Sequence, residues 1–97
     1  MARKRYLVSY DIRDDKRLRA VHKTMKAYGW SMQYSVFICD LDEMELTGLR
    51  TDLADRIHHT IDSIAIIDLG SPHERGKDCF SFMGQRIPLP TSGPVIL

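Results

Sequence analysis

Asp11 is the residue in this chain whose type and setting most directly suggest chemistry. It closes the apolar run Tyr6-Leu7-Val8-Ser9-Tyr10, just before the charged stretch Asp14-Asp15-Lys16-Arg17. A carboxylate where a strand ends and a helix begins lies at the rim of a crevice, where loop backbone can reach a ligand. Two readings are open for it. It can be a boundary carboxylate favoured by the nearby helix N-terminus, or it can hold magnesium or manganese, hard cations that take one or two carboxylates and fill their remaining positions with water and phosphate oxygens. An ion so held polarises a phosphodiester and activates its own water, so no separate base is required. Two copies of Asp11 meeting across a dimer axis would supply a second carboxylate. Asp14 and Asp15 suit helix capping better than catalysis.

The cations nearby have a pattern. Lys16, Arg19, Lys23 and Lys26 fall within about 80° of one another when projected at 100° per residue, and Arg17 lies beside them. No Asp or Glu occurs between Lys16 and Asp40, so no acid within that stretch neutralises them by i,i+4 pairing. A basic stripe of this kind is either a solvated outer helix face or a surface for nucleic-acid phosphates. The histidines suggest less: His58 and His59 are adjacent and point in different directions, and His22 lies beside an apolar stripe, as a packed or half-exposed histidine does. There is no Walker-type glycine loop, no dinucleotide fingerprint and no H-E-x-x-H. The aromatics Tyr6, Tyr10, Tyr28, Trp30, Tyr34, Phe37, Phe80 and Phe82 read chiefly as core, with base stacking as the alternative.

The elements that position these groups follow from the apolar pattern. Arg5 to Ile12 reads as a strand. A helix runs from Asp14 or Asp15 to Tyr28, with Leu18, Val21, Met25 and Tyr28 on one face and Gly29 as its terminator. Trp30 to Leu41 is strand-like and is expected to break into a hairpin near Ser35. Asp42 with Glu45 approximates a capping box, opening a second helix that carries Leu46, Leu49, Leu53 and Ile57 and runs to about Arg56. Ile64, Ala65, Ile66, Ile67 and Leu69 form an apolar run flanked by Asp62 and Asp68, which predicts a strand covered on both faces. Helices can cover only one face, so a second copy of the chain is the expected cover for the other. From Gly70 onward, punctuation by Pro72, Gly76, Gly84, Pro88, Pro90 and Pro94 predicts loop, a short strand at Cys79 to Met83, and an irregular tail. The order is that of an α+β, ferredoxin-like βαββαβ sandwich, a plan that hosts many functions.

Composition sets the frame. A 97-residue chain with 14 Lys and Arg against 13 Asp and Glu has a net charge of +1, so a nucleic-acid surface must come from uneven placement of the cations. No segment has the roughly 18 consecutive apolar residues of a membrane span, and the basic start Met-Ala-Arg-Lys-Arg lacks the apolar stretch of a secretory signal. Cys39 and Cys79 are too few for a disulfide framework. A cytoplasmic protein with reduced thiols is the expectation.

Taken together, Tyr6-Leu7-Val8-Ser9-Tyr10-Asp11-Ile12, Asp14-Asp15-Lys16-Arg17, Tyr28-Gly29 and Gln33-Tyr34-Ser35-Val36-Phe37 resemble the CRISPR-associated protein 2 family. The resemblance covers about residues 5–84 and implies one domain over 1–84, with 85–97 as a tail packing on the partner subunit. It further implies a homodimer, a magnesium- or manganese-dependent endonuclease site at Asp11 acting on RNA or DNA, supporting positions at Tyr10 and Phe37, and assembly with the CRISPR-associated protein 1 integrase in spacer acquisition. In that family the short strand after the fourth core strand pairs with the partner subunit, which here is Cys79 to Met83. Two alternatives stand beside the nuclease: a non-catalytic DNA scaffold of the integration complex, and a stand-alone toxin-type ribonuclease on the same fold.

Overall fold

The computed structural model describes residues 2–85 and residue 88. Strand β1 spans Lys4–Asp11, helix α1 Asp15–Tyr28, strand β2 Trp30–Gln33, strand β3 Val36–Leu41, helix α2 Glu43–Ala54, strand β4 Ser63–Asp68 and the one-turn helix α3 Arg75–Asp78. The four strands form one antiparallel sheet in the order β2-β3-β1-β4. This is the α+β, ferredoxin-like plan expected of the sequence. The expected tail falls almost wholly on residues outside the described ones.

Helix α1 begins where its chemistry directs. Asp14 is the N-cap, its carboxylate accepting from the Arg17 backbone N–H at 2.9 Å. Helix α2 opens on the anticipated capping box: the Glu45 backbone N–H donates to Asp42 Oδ1 at 2.8 Å, and the Asp42 N–H donates to Glu45 Oε1 at 3.0 Å. Such caps stabilise a helix start by about 1 kcal/mol. Helix α2 stops at Ala54, short of the expected Arg56, and Ile57 packs on the core from the loop beyond.

Alternation along β1 decides which side chains meet the helices. Tyr6, Val8 and Tyr10 join Val21, Met25, Phe37, Cys39, Leu41, Leu49 and Leu53 in the buried core. Leu7, Ser9 and Asp11 therefore point to the other face of the sheet. The hairpin near Ser35 is present, with Ser35 at φ 63°. Because Tyr34 and Ser35 form a turn, the alternation expected over Trp30 to Leu41 is not continuous.

Gly29 terminates α1, though not through the left-handed conformation usual for a helix-ending glycine. Its backbone is extended (φ −165°). What requires glycine is space, since a Cβ there would strike the Ile38 carbonyl oxygen and Cys39 Sγ.

Two features turn on the expected second copy of the chain. On β4, Ile64 and Ile66 meet the core, but Ala65 and Ile67 are exposed, so within one chain the strand is covered on one face only. Cys79–Met83 forms no strand; α3 lies just before it, and the Phe80 and Phe82 rings stack 6.0 Å apart. A strand exists only with a ladder partner, and the expected partner for this segment belonged to a second subunit.

Candidate functional site

Strand β1 delivers Asp11 to the sheet face away from the helices, with its side chain 63% exposed. Asp11 Oδ2 sits 3.1 Å from Arg13 Nη2. Exposed pairs of this kind stabilise by about 1 kcal/mol or less, so an incoming cation or phosphate can separate them. Among the described residues no group of three or more His, Cys, Asp or Glu is placed to hold a metal ion. Asp11 therefore offers an accessible carboxylate, a donor that fits a magnesium or manganese ion keeping most of its water.

The loop carrying Arg13 is held from below by Asp62, which sequence reasoning had read only as a flank of the last core strand. The buried Asp62 carboxylate accepts from Arg17 Nε at 2.7 Å, Arg17 Nη2 at 3.1 Å, the Arg13 backbone N–H at 2.9 Å and the His58 N–H at 2.8 Å. The Arg17 hydrogen bonds, joined by those two backbone donors, hold its carboxyl well below the usual carboxylate range against the opposing effect of burial. One acid thus ties the β1–α1 loop, α1 and the α2–β4 loop together. The signal in the sequence was faint: a charged residue opening an apolar strand, with its arginine partners more than 40 positions away.

This network also reassigns Arg17. The sequence grouped it with the phosphate-binding cations, but its guanidinium is committed to Asp62. The other four, Lys16, Arg19, Lys23 and Lys26, are exposed along α1 and make no ion pair among the described residues.

Tyr10 and Phe37 lie on the opposite side of the sheet from the Asp11 carboxylate. Both are buried under α1, their rings 6.3 Å apart, and His22 meets Phe37 edge-on at 5.4 Å. The Tyr10 hydroxyl is 3.0 Å from His22 Nδ1. Burial, with the nearby Tyr34 hydroxyl as a smaller cause, pushes Tyr10 above its ordinary range and keeps it neutral. These residues support β1 from the core and do not flank Asp11, because adjacent strand positions face opposite ways.

One further group escaped the sequence reading. Arg5 is buried at the start of β1, with Nε and Nη2 on the two oxygens of Asp40 at 2.7 and 2.8 Å and Nη1 on the Gly76 carbonyl at 3.3 Å. It fastens the segment after β4 over the non-helical face. Cys39 is buried in the core, where burial and then the charge of Asp40 push its thiol up to about 12, so it stays protonated. Neither cysteine is in a disulfide, and no helix among the described residues is long and apolar enough to cross a membrane.

The family model described as CRISPR associated protein Cas2 matches residues 4–75. The chain belongs to the Cas2 family. A curated Cas2 relative from Geobacter sulfurreducens, named a CRISPR-associated endoribonuclease, is 39% identical over 80 residues, spanning 82% of this chain and 83% of that one. A second, from Halalkalibacterium halodurans and named a CRISPR-associated endonuclease, is 37% identical over 73 residues, covering 70% and 76%. Among solved structures, Cas2 of Streptococcus pyogenes superposes with a TM-score of 0.72 at 30% identity, covering 82% of this chain and 99% of that one.

Proposed function

We propose that this chain is a homodimeric, metal-dependent endonuclease of CRISPR adaptation, cleaving phosphodiesters at Asp11 and working with the CRISPR-associated protein 1 integrase in spacer acquisition. The observation that carries the reading is Asp11 itself: an accessible carboxylate at the end of β1, on the side of the sheet where a second copy would dock. Relatives named endoribonuclease and endonuclease support the reaction class.

Asp11 would hold magnesium or manganese, with its counterpart from the second subunit. When bound, that ion supplies Lewis-acid polarisation of the phosphodiester and a nucleophilic water. The chain's own groups do the remaining work. Asp62 fixes the Arg13 backbone, keeping the loop that carries Arg13 in one place beside the carboxylate. Arg13 offsets the negative charge an approaching phosphate meets, and its weak pairing lets it yield. Lys16, Arg19, Lys23 and Lys26 hold the polyanion alongside.

Asp11→Asn tests this directly on single-stranded RNA and on duplex DNA, each with magnesium, manganese or EDTA. Cleavage should fall at least a hundredfold, with the mass in solution unchanged. Undiminished cleavage by the variant would assign the activity elsewhere.

A second reading, a non-catalytic DNA scaffold of the integration complex, is favoured by the four exposed cations on α1, which make no ion pair among the described residues. It requires duplex binding that weakens steeply with salt as counterions are released, and it survives an inert Asp11.

A further inference from the structure

A cleft of about 330 Å³ opens between α1 and the turn joining β2 to β3, lined by Leu18, Arg19, His22 and Lys26 from the helix, Tyr34 from the turn and Tyr10 from β1. It lies on the helix-bearing side of the sheet, away from the Asp11 carboxylate. Its volume is at the small end of ligand pockets, about 300–1,000 Å³, suited to one monomer unit and not to a duplex.

Three kinds of recognition group converge on it. Arg19 and Lys26 are exposed cations with no acidic partner among the described residues. Tyr34 is 83% exposed, a large aromatic ring left in solvent at the turn. His22 is held in place by the Tyr10 hydroxyl on Nδ1 and by the edge of Phe37, leaving Nε2 without a hydrogen bond among the described residues. The turn presenting Tyr34 is built, not slack. Ser35 takes a left-handed conformation rare outside glycine and asparagine, and its carbonyl accepts from the Tyr10 N–H at 3.0 Å.

A cation pair, an aromatic face and a fixed imidazole are the three contacts a single nucleotide asks for: phosphate, base face and base edge. A base reaches a tyrosine face only when it is out of its stack. We propose that this cleft receives one unpaired nucleotide of a strand lying along α1, its phosphate on Arg19 and Lys26, its base on Tyr34 and its polar edge at His22. This rests on the nucleic-acid reading above and adds a site that grips an unpaired nucleotide apart from the cleavage centre.

The test uses isotope-labelled full-length protein titrated with uridine 5′-monophosphate or inorganic phosphate, followed by heteronuclear NMR, together with affinities for a single-stranded oligonucleotide and a duplex. The nucleotide should saturably shift the His22 ring and the Tyr34 and Ser35 amides, whereas phosphate should shift only Arg19 and Lys26. Tyr34→Ala, at an exposed position the fold does not need, should weaken binding of the nucleotide and of the single strand roughly tenfold and leave duplex binding unchanged. If Tyr34→Ala binds the single strand as tightly as the parent, or if phosphate alone reproduces the full pattern of shifts, the cleft assignment is overturned and the wider nucleic-acid reading stands. If neither oligonucleotide binds the parent protein, both fall.

Discussion

Asp62 shows how one residue can govern a site it does not belong to. Its carboxyl lies well below the ordinary 3.8 in the folded protein because Arg17 and two backbone N–H groups require it charged. A group whose value is depressed on folding contributes stability that is complete above its unfolded value and is lost as pH falls toward the folded one. The melting temperature should therefore decline steeply as pH drops below about 4. Asp62→Asn should melt lower than the parent at neutral pH and show a flatter acid limb. Thermal scans across pH 2 to 7 check this, and an acid limb as steep in the variant as in the parent would remove Asp62 as its source.

At the scale of the elements, the tightest junction is where α1 gives way to β2. Gly29 packs against the Ile38 carbonyl and Cys39 Sγ so closely that no side chain fits. Gly29→Ala should cost about 1–3 kcal/mol, the range for overpacking a well-filled interior, read as a lower urea midpoint with an unchanged slope. An unshifted midpoint would mean the junction relaxes at no cost. The sequence exposed this element well but for a different reason: Gly29 was legible as a stop signal, while its crowding by β3 depends on strand order that no local pattern encodes. The caps at Asp14 and Asp42 and the apolar faces of both helices were legible because the interactions behind them span three or four residues. Arg5 with Asp40, and Arg17 with Asp62, were not, since each pair closes over more than 30 positions. Tyr10 and Phe37 were assigned to the site from resemblance, and strand alternation sends their side chains to the core instead.

For the molecule as a whole, the non-helical face of the sheet is the largest open question the fold poses to solvent. Strand register aligns Trp30, Ile38, Leu7 and Ile67 in one apolar row across all four strands. Ile67, on the edge strand β4, is 43% exposed. Edge strands with apolar side chains invite pairing, and the homodimer proposed here uses this surface. Ile67→Lys should convert the dimer to monomer in sedimentation velocity while far-ultraviolet circular dichroism stays the same. A parent already monomeric at micromolar concentration, or a variant still dimeric, would count against this face as the interface.

The Arg5 clamp has a consequence for how the chain folds. The Arg5 guanidinium is buried only when Asp40 and the Gly76 carbonyl, 35 and 71 residues further along, have both joined it. Until then a cation with strong affinity for water stands at the start of the central strand, opposing premature closure of the sheet around it. The segment carrying Gly76 must therefore close before the central strand reaches its native setting, which makes assembly of this sheet a late step in folding.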